Sequence, residues 1–371
     1  MSDLYRLYGA EFSLYSGKAR SYLRKKGVPY EEITSTVSVY KKFIIPRTGV
    51  RYIPVVQTPD DEVIQDTTAI IDELEKRFPE HSVYPTTPKQ KLVSLLLEVY
   101  GDEWLVIPAM HYRWNYPAMN ADFIYREFGS MAAPNMPGFI QKFLGRKIGG
   151  KFKGFVPRLG ITEKNIPALE SSYVSLLGDL QTHFEQHEFL LGSKPSIGDF
   201  GLIAPLYAHL FRDPAPGKLM RKKAPAVCQW VGRMTNDTAS LLSGQWLDDD
   251  EVPETLLPIL SRMASEHLPV LQDTDRLLSA WRENNPDAPE VQRIIGSHEF
   301  TVEGVTAERA VLPYCLWMFQ RPVDFYQGLD EHSRTAAVDP LLEQVGFSNA
   351  LQRGLQNRLV RTKNVLQLSD Q

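Results

Sequence analysis

One run of the 371-residue chain carries residue types that could hold a small zwitterionic ligand: Ile53 to Ile70, IPVVQTPDDEVIQDTTAI. Pro54 stands directly before the strand-like pair Val55 and Val56, and a proline donates no hydrogen bond to a ladder. In the cis form it turns the chain so that the backbone at Ile53 faces an extended peptide, which pairs with it as one more strand would. A trans proline at a strand's first residue is the alternative. At the far end, Asp66, Thr67 and Thr68 open a helix. Helix starts expose unpaired N–H groups and the positive end of the dipole, so they attract carboxylates. Thr67 adds a hydroxyl for the same carboxylate, and Asp66 can hold an ammonium. An α-amino acid end carries both charges. The plain alternative is an ordinary N-cap, where Asp and Thr are common.

The elements that must position this run follow from periodicity. Leu4 to Leu7 has strand character. Gly17 to Lys26 has helical spacing, with Ala19, Tyr22 and Leu23 on one side and Lys18, Arg20, Arg24, Lys25 and Lys26 on the other. Gly27 suits the residue after a helix end, and Pro29 prevents continuation. Tyr30 to Ile33 is a second strand, and YKKFIIPRTG reads as a loop. VVQT and EVIQ, separated by Pro59, Asp60 and Asp61, form a hairpin. Thr67 to Phe78 is an amphipathic helix. The order βαβ, ββ, α within about 80 residues is the thioredoxin arrangement.

From Pro88 the pattern changes to long helices, with no strand alternation up to about residue 245. SGQWLDDDEVPE reads as an acidic linker. Beyond it, VPETLLPILSRMASEHLPVLQDTDRLLSAWREN and AERAVLPYCLWMFQRPVDFYQGL read as helical, and the residues from about Arg361 read as a frayed end. HEFLLGSKPSIGDF echoes HEFTVEGVTAERA, either as a duplicated helix-start motif or by chance. GRKIGGKFKG is glycine-rich and basic but lacks the GxxxxGK[ST] form, and reads as a flexible loop.

Composition narrows the function. Hydrophobic residues are 43% and charged residues 23%, which suits packed domains. The formal net charge is −4, giving no electrostatic case for nucleic acid or an anionic membrane. Cys228 and Cys315 are the two cysteines, and neither sits at metal-ligand spacing, so a reducing compartment and no metal are expected. The start MSDLYRLYGAEF has no signal-peptide pattern, and no apolar run is long enough to span a bilayer. A soluble cytoplasmic protein is the expectation.

At this point the chain resembles the cytosolic glutathione transferase superfamily. The residues that carry the resemblance are IPVV at Ile53, QDTTAI at Gln65, FSLYSGKAR at Phe12, SIGDF at Ser196 and APAVCQWVGRM around Trp230 and Arg233, covering about residues 1–240. It implies a thioredoxin-like α/β domain at 1–82 and an all-α domain at 88–245. Beyond the family's usual length, the apolar runs LLPILSRM, HLPVL and VLPYCLWMF point to an additional helical extension at 246–371, packed on the second domain, where it would cover that domain's back, line the acceptor pocket or alter the subunit interface. Ser196 and Asp199 form a capping box with a folding role.

The resemblance further implies glutathione as co-substrate. Ile53 and Pro54 would pair with the cysteinyl backbone, Asp66 with the γ-glutamyl ammonium and Thr67 with its carboxylate, while Lys41 or Lys42 would meet the glycine carboxylate. A hydroxyl donating to the thiolate lowers the thiol pKa. Ser13 ranks first for this role, then Tyr15 and Tyr8. Leu14 departs from the proline common in the family, and no cysteine stands at the Ser13 position, which disfavours thiol exchange. Trp104, His111, Arg113 and Trp114 fall where an acceptor pocket would lie. The implied activity is conjugation of the thiolate to a hydrophobic electrophile, of the detoxification type, in a homodimer. A non-catalytic binding or scaffold protein, or a glutathione-dependent lyase or isomerase, are the alternatives.

Overall fold

The computed structural model describes residues 4–239 and 243–369. The N-terminal unit is a four-stranded mixed sheet of order β2-β1-β3-β4, with β1 at Tyr5–Gly9, β2 at Tyr30–Thr34, β3 at Val55–Gln57 and β4 at Val63–Gln65. β1 runs parallel to β2 and antiparallel to β3, with Tyr8 opposite Val55. Helices α1 (Leu14–Lys26) and α2 (Thr67–Arg77) cover one face. The pleat sends Tyr5 and Leu7 into the core they share, and Tyr8 to the opposite face with Ile44 and Val55. The YKKFIIPRTG stretch expected as a loop is helical: a π turn at Tyr40–Ile44 runs into a helical turn at Ile45–Thr48. Its apolar residues are what cover that second face.

α1 begins at Ser13, whose side chain accepts the Ser16 N–H, and ends at Gly27 with φ 72°, where a side chain would be strained. Its basic side is not a solvated face. Lys18, Arg20, Lys25 and Lys26 are buried. Arg20 forms a two-pronged pair with Glu32 at 2.6 and 2.5 Å. Lys26 meets Glu75 at 2.8 Å.

The second unit is helical: α3 (Pro88–Val99), a π turn (Tyr100–Trp104), α4 (Val106–Asn115), α5 (Pro117–Ala132), α6 (Gly138–Lys153), α7 (Ile166–Phe184), α8 (Ile197–Ala208), α9 (Pro214–Lys223) and α10 (Pro225–Thr235). The Ser196–Asp199 capping box is formed at the start of α8, and Asp199 also accepts the Trp230 indole N–H at 3.0 Å. GRKIGGKFKG, expected as a flexible loop, lies almost wholly within α6. Two glycines let α5 and α6 pack closely: a Cβ on Gly145 would come 1.8 Å from the Tyr125 carbonyl, and one on Gly129 would come 2.0 Å from that of Gln141.

The extension is not purely helical. It contains α11 (Leu257–Arg262), a π turn (Met263–His267), α12 (Leu268–Asn284), a hairpin β5 (Ser297–Val302) and β6 (Val305–Ala310), then α13 (Pro313–Gln327) and a second hairpin β7 (Leu359–Thr362) and β8 (Val365–Leu368). AERA belongs to β6, because Val305 to Ala310 pairs with the alternating SHEFTV strand. HEF at His298 is therefore strand, so the echo of the α8 start is not structural. The end expected to fray is a hairpin, turned by Lys363 and Asn364 at φ 49° and 67°.

A buried ion network joins the three parts. Lys18 of α1 donates to Glu98 of α3 at 2.7 Å and to Asp102. Arg321 of α13 donates to the other Glu98 oxygen at 2.7 Å and to Asp72 of α2 at 2.9 Å. Tyr84 accepts from Arg321 at 2.8 Å and donates to Asp72. Removing one partner of such a network leaves an uncompensated buried charge. Arg321→Met should therefore lower stability by about 3 kcal/mol, read as a lower urea midpoint. Burial is the main cause that pushes the Asp102 carboxyl from an ordinary 3.8 up to about 7. The folded state then holds this proton longer than the unfolded chain does. Its stabilising effect is complete below an ordinary carboxyl pKa and is lost as pH rises through about 7. Asp102→Asn should flatten the decline in urea midpoint measured between those two pH values.

Candidate functional site

The two ends of IPVVQTPDDEVIQDTTAI meet at one end of the β3–β4 hairpin. The Ile53–Pro54 peptide is cis. Val55 enters the ladder, while the N–H and C=O of Ile53 have no backbone partner among the described residues. Asp66 N–H reaches the Pro54 carbonyl at 3.5 Å, which ties the start of α2 to the proline. Asp66 adopts φ 89° and its Oδ1 accepts from Thr68 N–H at 2.9 Å and Ala69 N–H at 3.4 Å. Thr67 is buried, and its amide has no partner among the described residues. An open backbone edge and an open helix-start amide thus stand together, a geometry suited to a peptide carrying a carboxylate.

Asp66 is not open. Its second oxygen accepts the Tyr314 hydroxyl, from the first turn of α13. Sequence reasoning missed this residue and three others from the extension. Arg361 of β7 donates to the Gln65 carbonyl at 3.1 Å and to its side chain. The Arg293 guanidinium lies 5.5 Å from the Tyr52 ring. Asn364 donates to the Thr48 carbonyl at 2.8 Å. These contacts span more than two hundred positions along the chain, so local patterns carry no signal for them.

The three hydroxyls ranked for thiolate contact have different surroundings. Ser13 caps α1: its oxygen accepts the Ser16 N–H at 3.3 Å, which leaves its O–H to donate. Tyr15 donates to the Asp102 carbonyl at 3.1 Å. Burial, then Glu103 and Asp102, push its hydroxyl pKa well up. Tyr8 donates to Gln57 Oε1 at 2.8 Å and stacks on Phe43, on the sheet face opposite α1. Lys41 and Lys42 are exposed, with no ion-pair partner among the described residues.

The four residues expected to line an acceptor pocket are not gathered around one. Arg113 is buried and grips Asp213 with two bonds of 2.7 Å, while donating to the Phe12 and Ala208 carbonyls. It anchors the turn before α1. His111 meets Glu170 at 2.8 Å and Asn115 at 2.9 Å, and burial holds its pKa below the ordinary value. Trp114 packs on Phe128. Trp104 donates to Glu266 at 3.2 Å, stacks on His267 and has Arg309 5.6 Å from its ring centre. These groups are committed inside the protein. Close to Tyr15 and Asp66, the buried Glu103 keeps Oε1 unpartnered, and burial drives its carboxyl well above the ordinary range. Among the described residues no cluster of His, Cys, Asp and Glu could hold a metal ion, and no helix is long and apolar enough to cross a membrane.

Residues 7–82 match the glutathione S-transferase N-terminal domain, and residues 163–237 match the glutathione S-transferase C-terminal domain. The two matched segments stand in the order of a glutathione S-transferase, the N-terminal domain before the C-terminal one. Among solved structures it is similar to a glutathione S-transferase from Rhodospirillum rubrum F11, at 16% identity and TM-score 0.41 over 67% of this chain and 96% of that one. It is also similar to the beta-etherase LigF of Sphingobium sp. strain SYK-6, at 17% identity and TM-score 0.43 over 64% and 98%. A Methylobacterium radiotolerans glutathione S-transferase in complex with glutathione sulfonate gives 19% identity and TM-score 0.39 over 66% and 96%. A comparison with curated proteins found no match.

The Arg113 geometry yields a test. Arg113→Met leaves the Asp213 carboxylate buried without its cation, and should cost about 3 kcal/mol of stability. A urea midpoint unchanged from wild type would show that the guanidinium is not structural.

Proposed function

We propose that the chain binds glutathione across Ile53, Pro54, Asp66 and Thr67 and conjugates its thiolate to a hydrophobic electrophile. The observation that carries this reading is the pairing of an open Ile53 backbone with an open Thr67 amide, within a segment that matches the glutathione S-transferase N-terminal domain. The tripeptide's middle would extend the sheet at Ile53, and its α-carboxylate would take the Thr67 amide and hydroxyl. Lys41 or Lys42 would meet the glycine carboxylate across solvent, where a single cation contributes little.

Ser13 is the thiolate donor in this reading. Its oxygen already accepts an amide, which leaves its proton free to donate, and it sits at the positive end of α1. Donation to the charged sulfur favours the thiolate and lowers the thiol pKa. Tyr15 and Tyr8 each spend their single proton on an internal acceptor, which ranks them below Ser13. Tyr314 and Arg293 of the extension, rather than Trp114 or Arg113, would roof the site where the acceptor arrives.

In either reading the ligand must displace the Tyr314 hydroxyl from Asp66, and a protein that spends its ligand chemistry on this exchange, binding glutathione without conjugating it, is the second reading. The ligand's ammonium needs the same carboxylate oxygen. Titration of the full chain with glutathione, followed by thiolate absorbance and calorimetry, separates the two. Conjugation predicts saturable binding with a thiolate signal, and binding alone predicts heat without that signal. Ser13→Ala should lower kcat/KM by about 10²-fold, the scale of removing one donor to a developing or stabilised anion. Tyr8→Phe and Tyr15→Phe should change it far less. Equal losses in all three variants would contradict the assignment to Ser13.

A further inference from the structure

The α5–α6 hairpin presents a surface that the glutathione site does not use. Residues 117–158 hold seven Lys and Arg against two Asp and Glu, although the whole chain carries net −4. α6 itself has five basic and no acidic residues. Lys142 is paired with Asp122 at 2.6 Å. Lys147, Lys151 and Lys153 are exposed and have no ion-pair partner among the described residues. Within this basic frame Phe152 is half-exposed, and two phenylalanines stand further into water: Phe139 is 76% exposed and Phe143 69%. They are four residues apart, so they share one stripe of the helix, with Arg146 and Lys147 next on the same side. Met136, at the hairpin turn, is also exposed. Gly145 and Gly129 lock the helix against α5, so the stripe is held on a rigid support.

Largely exposed phenylalanines flanked by unpaired cations are costly in water and fit a surface that is apolar beneath an anionic layer. We infer that this face of α6 docks on an anionic phospholipid bilayer, with Phe139 and Phe143 inserted at headgroup depth and Lys147, Lys151 and Lys153 against the lipid phosphates and carboxylates. A helix with basic flanks and an aromatic stripe lies in the interface plane in this way. The expectation of no membrane partner followed from total charge, which hides this local concentration. A second copy of the chain fits less well. A symmetric contact sets the same patch against itself and would oppose two basic clusters.

The test is flotation of the full-length chain with vesicles of phosphatidylcholine containing about one third phosphatidylserine, beside vesicles of phosphatidylcholine alone. The chain should float with the anionic vesicles, weaken as salt rises and stay behind with the neutral ones. Each lysine near an anionic surface contributes about fivefold to partitioning, so Lys147→Glu with Lys151→Glu should lower it tenfold or more. Phe139→Ser with Phe143→Ser should lower it while leaving the salt dependence in place. These exposed positions leave the core untouched, and far-ultraviolet circular dichroism checks the fold of each variant. Absence of flotation with anionic vesicles, or equal binding to neutral ones, overturns the inference. So does light scattering that shows a dimer which the phenylalanine variants split, because a second copy would then cover the face.

Discussion

Everything in this molecule hangs on one buried and one partly buried cation meeting one buried carboxylate. Glu98 takes Lys18 on one oxygen and Arg321 on the other. Lys18 comes from the helix that follows the first strand, Glu98 from the first helix of the all-α unit, and Arg321 from the extension. None of the three charges tolerates the interior alone, since an unpaired buried ion costs several kcal/mol. The three parts of the chain are therefore held in one relative position by charge compensation as well as by apolar burial. Asp102 and Asp72 extend the same network at its two ends.

This constraint explains the form of the candidate site. Arg321 fixes α13 against α2 and α3, which brings Tyr314, two turns earlier, onto the Asp66 carboxylate. β7 and the turn after it follow, with Arg361 on Gln65 and Asn364 on Thr48. The site that a thioredoxin-like unit would leave open is bordered on one side by the extension. Arg113 plays a matching part on the other side, holding the Phe12 carbonyl and so the turn that carries Ser13. Ligand chemistry at Ile53 and Thr67 is thus framed by residues from all three parts.

The N-terminal unit was legible because its signals are local. Strand alternation, the Gly27 helix end, the hairpin turn at Pro59 and the polar start of α2 are each set within a few residues. The Ser196–Asp199 box was legible for the same reason. Burial of charged side chains was not. Lys18 and Arg20 look like a solvated face until Glu98 and Glu32 are placed against them, and Arg113 looks available until Asp213 is. The hairpins of the extension were misread where a short alternating run such as VTAERA runs straight into an apolar helix. GRKIGGKFKG looked like a loop because four glycines weaken helix propensity, yet Gly145 and Gly149 are needed for contact with α5 and its neighbours. The Tyr314–Asp66 contact, 248 positions apart, had no local signature at all.

The central claim is that a peptide ligand closes the open backbone at Ile53 and the open amide at Thr67. Amide hydrogen exchange of the full chain, with and without millimolar glutathione, reads both positions directly. Slower exchange at Ile53 and Thr67, with little change in α5 and α6, is the result expected. Unchanged exchange at both amides under saturating glutathione, or protection confined to another part of the chain, would contradict it.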